Sequence, residues 1–149
     1  TLLRMLSCKL IALVIIIFLL PLYLCIQRLI SHSSGIPGLL SCGFVVSMEG
    51  QNIYYAGDTA LFRDMELIGK RFALDCAVLP IGDNYTMGIE DAAEAVKLLK
   101  PKHVIPVHYN TWPVIQAEPE KFKTLVEAET TAKVHILRPG DSMDLSELK

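Results

Sequence analysis

Three residues stand where apolar runs give way to polar loops and carry side chains able to do chemistry: His32 in "SHSSGIPG", Asp58 in "YYAGDT" and His108 at the end of "VIPVH". One carboxylate and two imidazoles form a usable ligand set for zinc or a similar divalent cation. Gly57, just before Asp58, lets the backbone turn sharply as it leaves the run. Taken singly, each residue also has a plainer reading. A "GDT" after a strand is the usual word of an Asx turn or helix cap, and a histidine at a strand end is commonly a hydrogen-bonded surface residue. The other two histidines are read as structural, since His103 follows "KPK" at a strand entrance and His135 sits mid-strand in "KVHIL".

The elements that must position these residues follow from the patterning beyond Cys42. Strand-like and helix-like stretches alternate there, which argues a layered α/β domain with helices against a sheet. "CGFVVSM" and "NIYYAG" flank the polar turn "EGQ" and read as a hairpin. "LFRDMELIGKRF" reads as a short helix and "DCAVLPI" as a buried strand. "IEDAAEAVKLLK" is a clearer helix: Glu90 and Asp91 suit the positive N-terminal end, Lys97 and Lys100 the C-terminal end, and Pro101 stops it. Within it Ala92, Val96 and Leu99 share one face. "HVIPVH" reads as another strand, "PEKFKTLVEAE" as a helix opened by Pro119, and "AKVHIL" as a last strand before the turn "RPGD". The Gly/Ser/Pro stretch over residues 31–41 is a loop joining this domain to what precedes it.

A chain of 149 residues with 52% hydrophobic residues suffices for one domain and its core. Fourteen basic against sixteen acidic residues, for a net charge of −2 and no basic cluster, leave no electrostatic footprint for nucleic acid. Cys8, Cys25, Cys42 and Cys76 lie far apart without a CxxC pair, so neither a zinc ribbon nor a disulfide framework is indicated. Residues 10–26, "LIALVIIIFLLPLYLCI", carry no charge and are flanked by Arg4, Lys9 and Arg28. That run is long enough for a short membrane span or a signal-type apolar segment, with a buried core helix as the alternative and Pro21 as a kink. The expected organisation is therefore an apolar segment over residues 1–30 and a globular domain over 31–149. The chain begins at Thr1 rather than Met, and the expectation is a fragment or a product whose beginning has been replaced.

The words "HSSGIPG", "GFVVSMEGQNIYYAGDTALFRDMELIG", "DCAVLPIGDNYTMGIEDAAEAVKLL", "VIPVHYNTWPVI" and "LRPGDS" together resemble the metallo-β-lactamase superfamily. Their closest likeness is to its metal-dependent hydrolase branch, to which ascorbate-phosphate lactonases and the phospholipase D acting on N-acyl-phosphatidylethanolamine are related. The likeness runs from about His32 to Ser142. It implies the C-terminal half of an αβ/βα sandwich of two mixed sheets with helices outside, here preceded by the apolar N-terminal helix, and a one- or two-metal site at the strand ends. It implies His32 as a metal-binding histidine, Asp58 as the carboxylate bridging two metals and His108 as the last histidine ligand. It places Asp83, Tyr85, Thr86, Tyr109 and Asn110 near the site, without a definite role. One departure stands out: the family's word HxHxDH belongs upstream of His32, and no histidine precedes His32.

The resemblance thus implies a divalent metal, foremost zinc with manganese or iron as alternatives, and a metal-activated water attacking an ester, lactone or phosphodiester. Its substrate is expected to be a small or lipid-like molecule. The missing word keeps a second expectation beside the first: a catalytically inactive domain tethered to a membrane through residues 10–26, acting as an interaction module or having no function. Lys and Arg flanking that run favour a cytoplasmic N-terminus and an outward-facing domain, whereas the family resemblance implies a cytoplasmic protein. Half a sandwich would also leave one sheet face bare, and self-association over it is a further expectation.

Overall fold

The computed structural model describes residues 43–144 and Ser146. The segments expected to span a membrane (residues 10–26) and to divide the chain (residues 30 and 31) lie outside them, as does His32. Among the described residues no helix is long and apolar enough to cross a membrane.

The fold begins with a hairpin of β1 (Phe44–Met48) and β2 (Gln51–Tyr55), paired antiparallel in the register Phe44↔Tyr55 to Met48↔Gln51. The turn is two residues, Glu49 and Gly50, with φ of 53° and 80°. Both left-handed conformations suit the twist of a tight hairpin, and Gln51, expected in the turn, already belongs to β2. From β2 the chain repeats one motif three times: α1 (Met65–Arg71) leads to β3 (Cys76–Pro80), α2 (Ile89–Leu99) to β4 (His103–Val107), and α3 (Pro119–Glu129) to β5 (Lys133–Val134). Strands β2 to β5 are all parallel and lie side by side in chain order. Right-handed crossovers between strands laid down in one direction put all three helices on one face. Of the two sheets the resemblance implies, the described residues build one.

The helical face holds the core. The row Tyr54, Ala77, Val104 and Val134 is almost wholly buried against Met65, Val96, Leu99, Phe122 and Val126. Each large side chain so enclosed contributes about 1.5–3 kcal/mol by leaving water. Helix α2 buries Ala93 and Ala95 besides the expected Ala92, Val96 and Leu99, and the small alanine side chains let it sit close to the sheet. It ends at Lys100, whose left-handed backbone returns its N–H to the Val96 carbonyl one residue before Pro101. Gly69 of α1 lies against that end, where a Cβ would meet the Leu99 carbonyl oxygen at 2.4 Å. On the other sheet face the register aligns Phe44, Tyr55, Val78 and Ile105, and the first two are 40% and 48% exposed.

Strand β5 is shorter than "AKVHIL" suggests, so His135 lies just past it rather than mid-strand. The reason is local. The outward N–H of Val134 is taken by the Glu127 carboxylate at 3.0 Å, which closes this edge against further pairing. His135 still donates its backbone N–H to Val104, and its ring meets His103 with Nε2 to Nδ1 at 2.8 Å. One imidazole must donate and the other accept there, so the two rings tie β4 to the chain leaving β5.

Candidate metal centre

Because β2, β3 and β4 are parallel, the loops that follow them emerge on one edge of the sheet. The first carries Asp58: Ala56 still donates to Val78 at 3.1 Å, Gly57 turns with φ 68°, and the Asp58 side chain stands 68% exposed beyond it. The third begins with His108, which leaves β4 with φ 55°. That left-handed step costs a residue bearing a Cβ about 1–2 kcal/mol, and it ends the strand's extended path. Gly82, two residues past the end of β3, lies against it: a Cβ on Gly82 would lie 2.2 Å from the His108 carbonyl oxygen. Only glycine permits so close a passage of the two chains, and that requirement, carried by "PIGDN", is one that sequence reasoning did not single out.

The loops brace one another. Met87 donates its N–H to the Thr59 carbonyl at 3.1 Å, next to Asp58, and the Asn84 amide donates to the Val114 carbonyl at 2.6 Å, in the short 3₁₀ turn Pro113–Ile115. Among the described residues six non-glycine residues have positive φ. Glu49 and Lys100 serve the hairpin turn and the α2 cap, and the other four, Asp83, Asn84, His108 and Asn110, all stand in these two loops. Strained backbone held this way is a mark of a functional edge.

Asp58 Oδ2 lies 3.8 Å from His108 Nε2. This exceeds a hydrogen bond and is close to the roughly 3.4 Å that separates two ligands bonded tetrahedrally to one zinc. The other ring nitrogen, Nδ1, is buried without a hydrogen-bond partner. A buried polar atom left so costs about 1–3 kcal/mol, and the protein thereby commits neither nitrogen of His108, in contrast to the mutually bonded His103 and His135 rings. The pair therefore fits part of a metal's ligand set. It is not a complete one, since no group of three or more His, Cys, Asp or Glu placed to hold a metal occurs among the described residues. His32, the third residue expected to ligate, lies outside the described residues.

The remaining residues expected near the site sort clearly. Asn110 is structural: its side chain donates to the Ala117 carbonyl and accepts the Ala117 N–H, both at 2.9 Å. Asp83 makes a tight turn, accepting from Asn84 through Oδ1 and from Tyr85 and Thr86 through its carbonyl. Thr86 is buried. Tyr109 packs against the core, and burial, then the Glu120 charge, raise its phenol above the ordinary range. Tyr85 stacks on Trp112 from the next loop, a pairing of distant residues that no local pattern announces.

One mixed sheet with a helical layer, and a carboxylate and an imidazole without hydrogen bonds where two strands end, define an α/β protein whose strand-end loops bring Asp58 and His108 together. Comparison with known proteins names the class. The profile of the beta-lactamase superfamily domain matches residues 27–109, more than half of the chain. A metal-dependent hydrolase of Pelotomaculum thermopropionicum is 64% identical over 104 residues, covering 70% of this chain and 46% of that protein. One from Natranaerobius thermophilus is 53% identical over 115 residues, covering 77% and 52%. Among solved structures, a metallo hydrolase of the hyperthermophilic archaeon Ignicoccus hospitalis superposes with a TM-score of 0.64 at 48% identity, covering 66% of this chain and 43% of that one. The chain belongs to the metallo-β-lactamase superfamily, and the curated relatives it is similar to are named metal-dependent hydrolases. It spans about half the length of the curated relatives it matches.

Proposed function

We propose that the chain contributes the Asp58 and His108 ligands of a metal-dependent hydrolase acting on an ester, lactone or phosphodiester bond. The observation that carries the proposal is the convergence of these two side chains, 3.8 Å apart with neither ring nitrogen of His108 hydrogen-bonded, on an edge braced by strained loops. In this reading Asp58, the more exposed, and His108 would together hold the metal. His32 is the third ligand in this reading. When bound, zinc, or manganese or iron in its place, supplies Lewis acidity and lowers the pKa of a water to about 7. Of the chain's own residues, Gly82 allows the close passage that sets the His108 backbone, and Thr59 accepts from Met87 in the loop that faces it.

The substrate in this reading is a small or lipid-like molecule. The test is hydrolysis by the full chain of phosphodiester, lactone and ester probes with added zinc, manganese or iron. Turnover that disappears with chelator, returns with metal and falls at least about 100-fold in Asp58→Ala supports the proposal. Metal-loaded protein inert to all three bond types would instead leave it an inactive binding domain.

A further inference from the structure

Tyr85 and Trp112 are the conspicuous side chains of this edge that the metal centre does not use. Their rings stack with centroids 5.9 Å apart and planes inclined by 18°, yet Tyr85 remains 63% and Trp112 50% exposed. Exposed aromatic rings in contact with one another offer a flat apolar surface on which another flat group can stack. They belong to the two loops that hold His108 and face Asp58. Tyr85 follows Asn84, which is bonded to Val114, and Trp112 accepts the Ile115 N–H through its carbonyl. The loops carry the four left-handed residues Asp83, Asn84, His108 and Asn110, and the Asn84–Val114 hydrogen bond ties one loop to the other.

We propose that the Tyr85–Trp112 stack is a substrate-binding platform, which takes a planar aromatic or heterocyclic substituent of the molecule whose bond is presented to Asp58 and His108. The inference rests on the hydrolase reading for the second half of that sentence but not for the first, because ring stacking needs no metal. The third ring extends an existing offset stack, gaining apolar contact on a face that is already desolvated on one side. Aliphatic esters and diesters, lacking a flat group, gain nothing from it.

Trp112 is the single tryptophan of the chain, so its fluorescence reads the platform directly. The full chain is titrated with bis(para-nitrophenyl) phosphate and, for comparison, dimethyl phosphate, with and without chelator. Saturable quenching is expected with the aromatic diester alone, weakened about ten-fold in Tyr85→Ala and retained in Tyr85→Phe. Where turnover is measurable, Tyr85→Ala raises KM for the aromatic diester by the same factor with kcat held. Quenching that fails to saturate, is indifferent to Tyr85→Ala, or vanishes in Asp58→Ala overturns the platform. Quenching that survives in protein that binds no metal upholds the platform while the metal reading fails, so the two are separable.

Discussion

Replacing Gly82 by alanine puts one methyl group where the structure leaves no room, and it does so at the support of the proposed metal centre rather than at a proposed ligand. The added Cβ would stand 2.2 Å from the His108 carbonyl oxygen and 3.0 Å from Ile115 Cβ, against 3.4 Å for ordinary contact. The chains must part by about 1 Å, and because the nearest atom is backbone no side-chain rotation relieves it; overpacking of this kind costs about 1–3 kcal/mol. For a domain of this size that lowers Tm by about 4–8 °C per kcal/mol. Displacing His108 relative to Asp58 should weaken zinc binding about 10- to 100-fold, the usual effect of disturbing a ligand's support. Gly69→Ala is the control. Its Cβ meets the Leu99 carbonyl oxygen at 2.4 Å, a clash of similar severity between α1 and the end of α2, away from the strand edge. Thermal unfolding and calorimetric zinc titration of both variants read the two effects: both lose stability, and only Gly82→Ala loses zinc affinity. Equal zinc affinities for Gly82→Ala and the parent chain, or an equal loss in Gly69→Ala, would refute the idea that Gly82 positions His108.

Two further outcomes follow from buried groups. Burial first, then His135, Lys133 and Lys102, hold the His103 pKa below its usual 6.5, with Asp75 opposing them. The unfolded chain therefore takes up this proton more readily than the folded one. Stability is complete above about pH 6.5 and falls as pH drops from there through the folded-state pKa. His103→Phe should flatten the decline of Tm between pH 7.5 and 5.5, and an unchanged slope would count against the His103–His135 tie as its source. Cys76 is 1% exposed, and burial with the neighbouring Asp75 charge pushes its thiol up to about 11. Its tryptic peptide should stay unmodified by iodoacetamide at pH 8 until denaturant is added, and rapid labelling of native protein would contradict the packing around β3.

Much of this was legible in local pattern, and what was not depends on distant parts of the chain. The hairpin showed in "MEGQ", and α2 in its acidic start, basic end and Pro101, because turn chemistry and helix caps act over a few residues. The ends of β2 and β4 placed Asp58 and His108 at a loop edge for the same reason. The left-handed turn of His108 was not legible, because it depends on Gly82, brought close only by the parallel pairing of β3 with β4. The stacking of Tyr85 on Trp112 is non-local in the same way. Strand β5 read too long since strand alternation alone cannot show that Glu127, seven residues back in α3, takes the Val134 N–H. The placement of His32 falls outside the described residues.

The most direct test of the metal centre is the zinc retained by the purified full chain after dialysis against metal-free buffer, compared among the parent, Asp58→Ala, His108→Ala and His103→Ala. A centre built on Asp58 and His108 requires near-stoichiometric zinc in the parent and in His103→Ala, and loss of most of it in Asp58→Ala and His108→Ala. Zinc content unchanged by either Asp58→Ala or His108→Ala would contradict it.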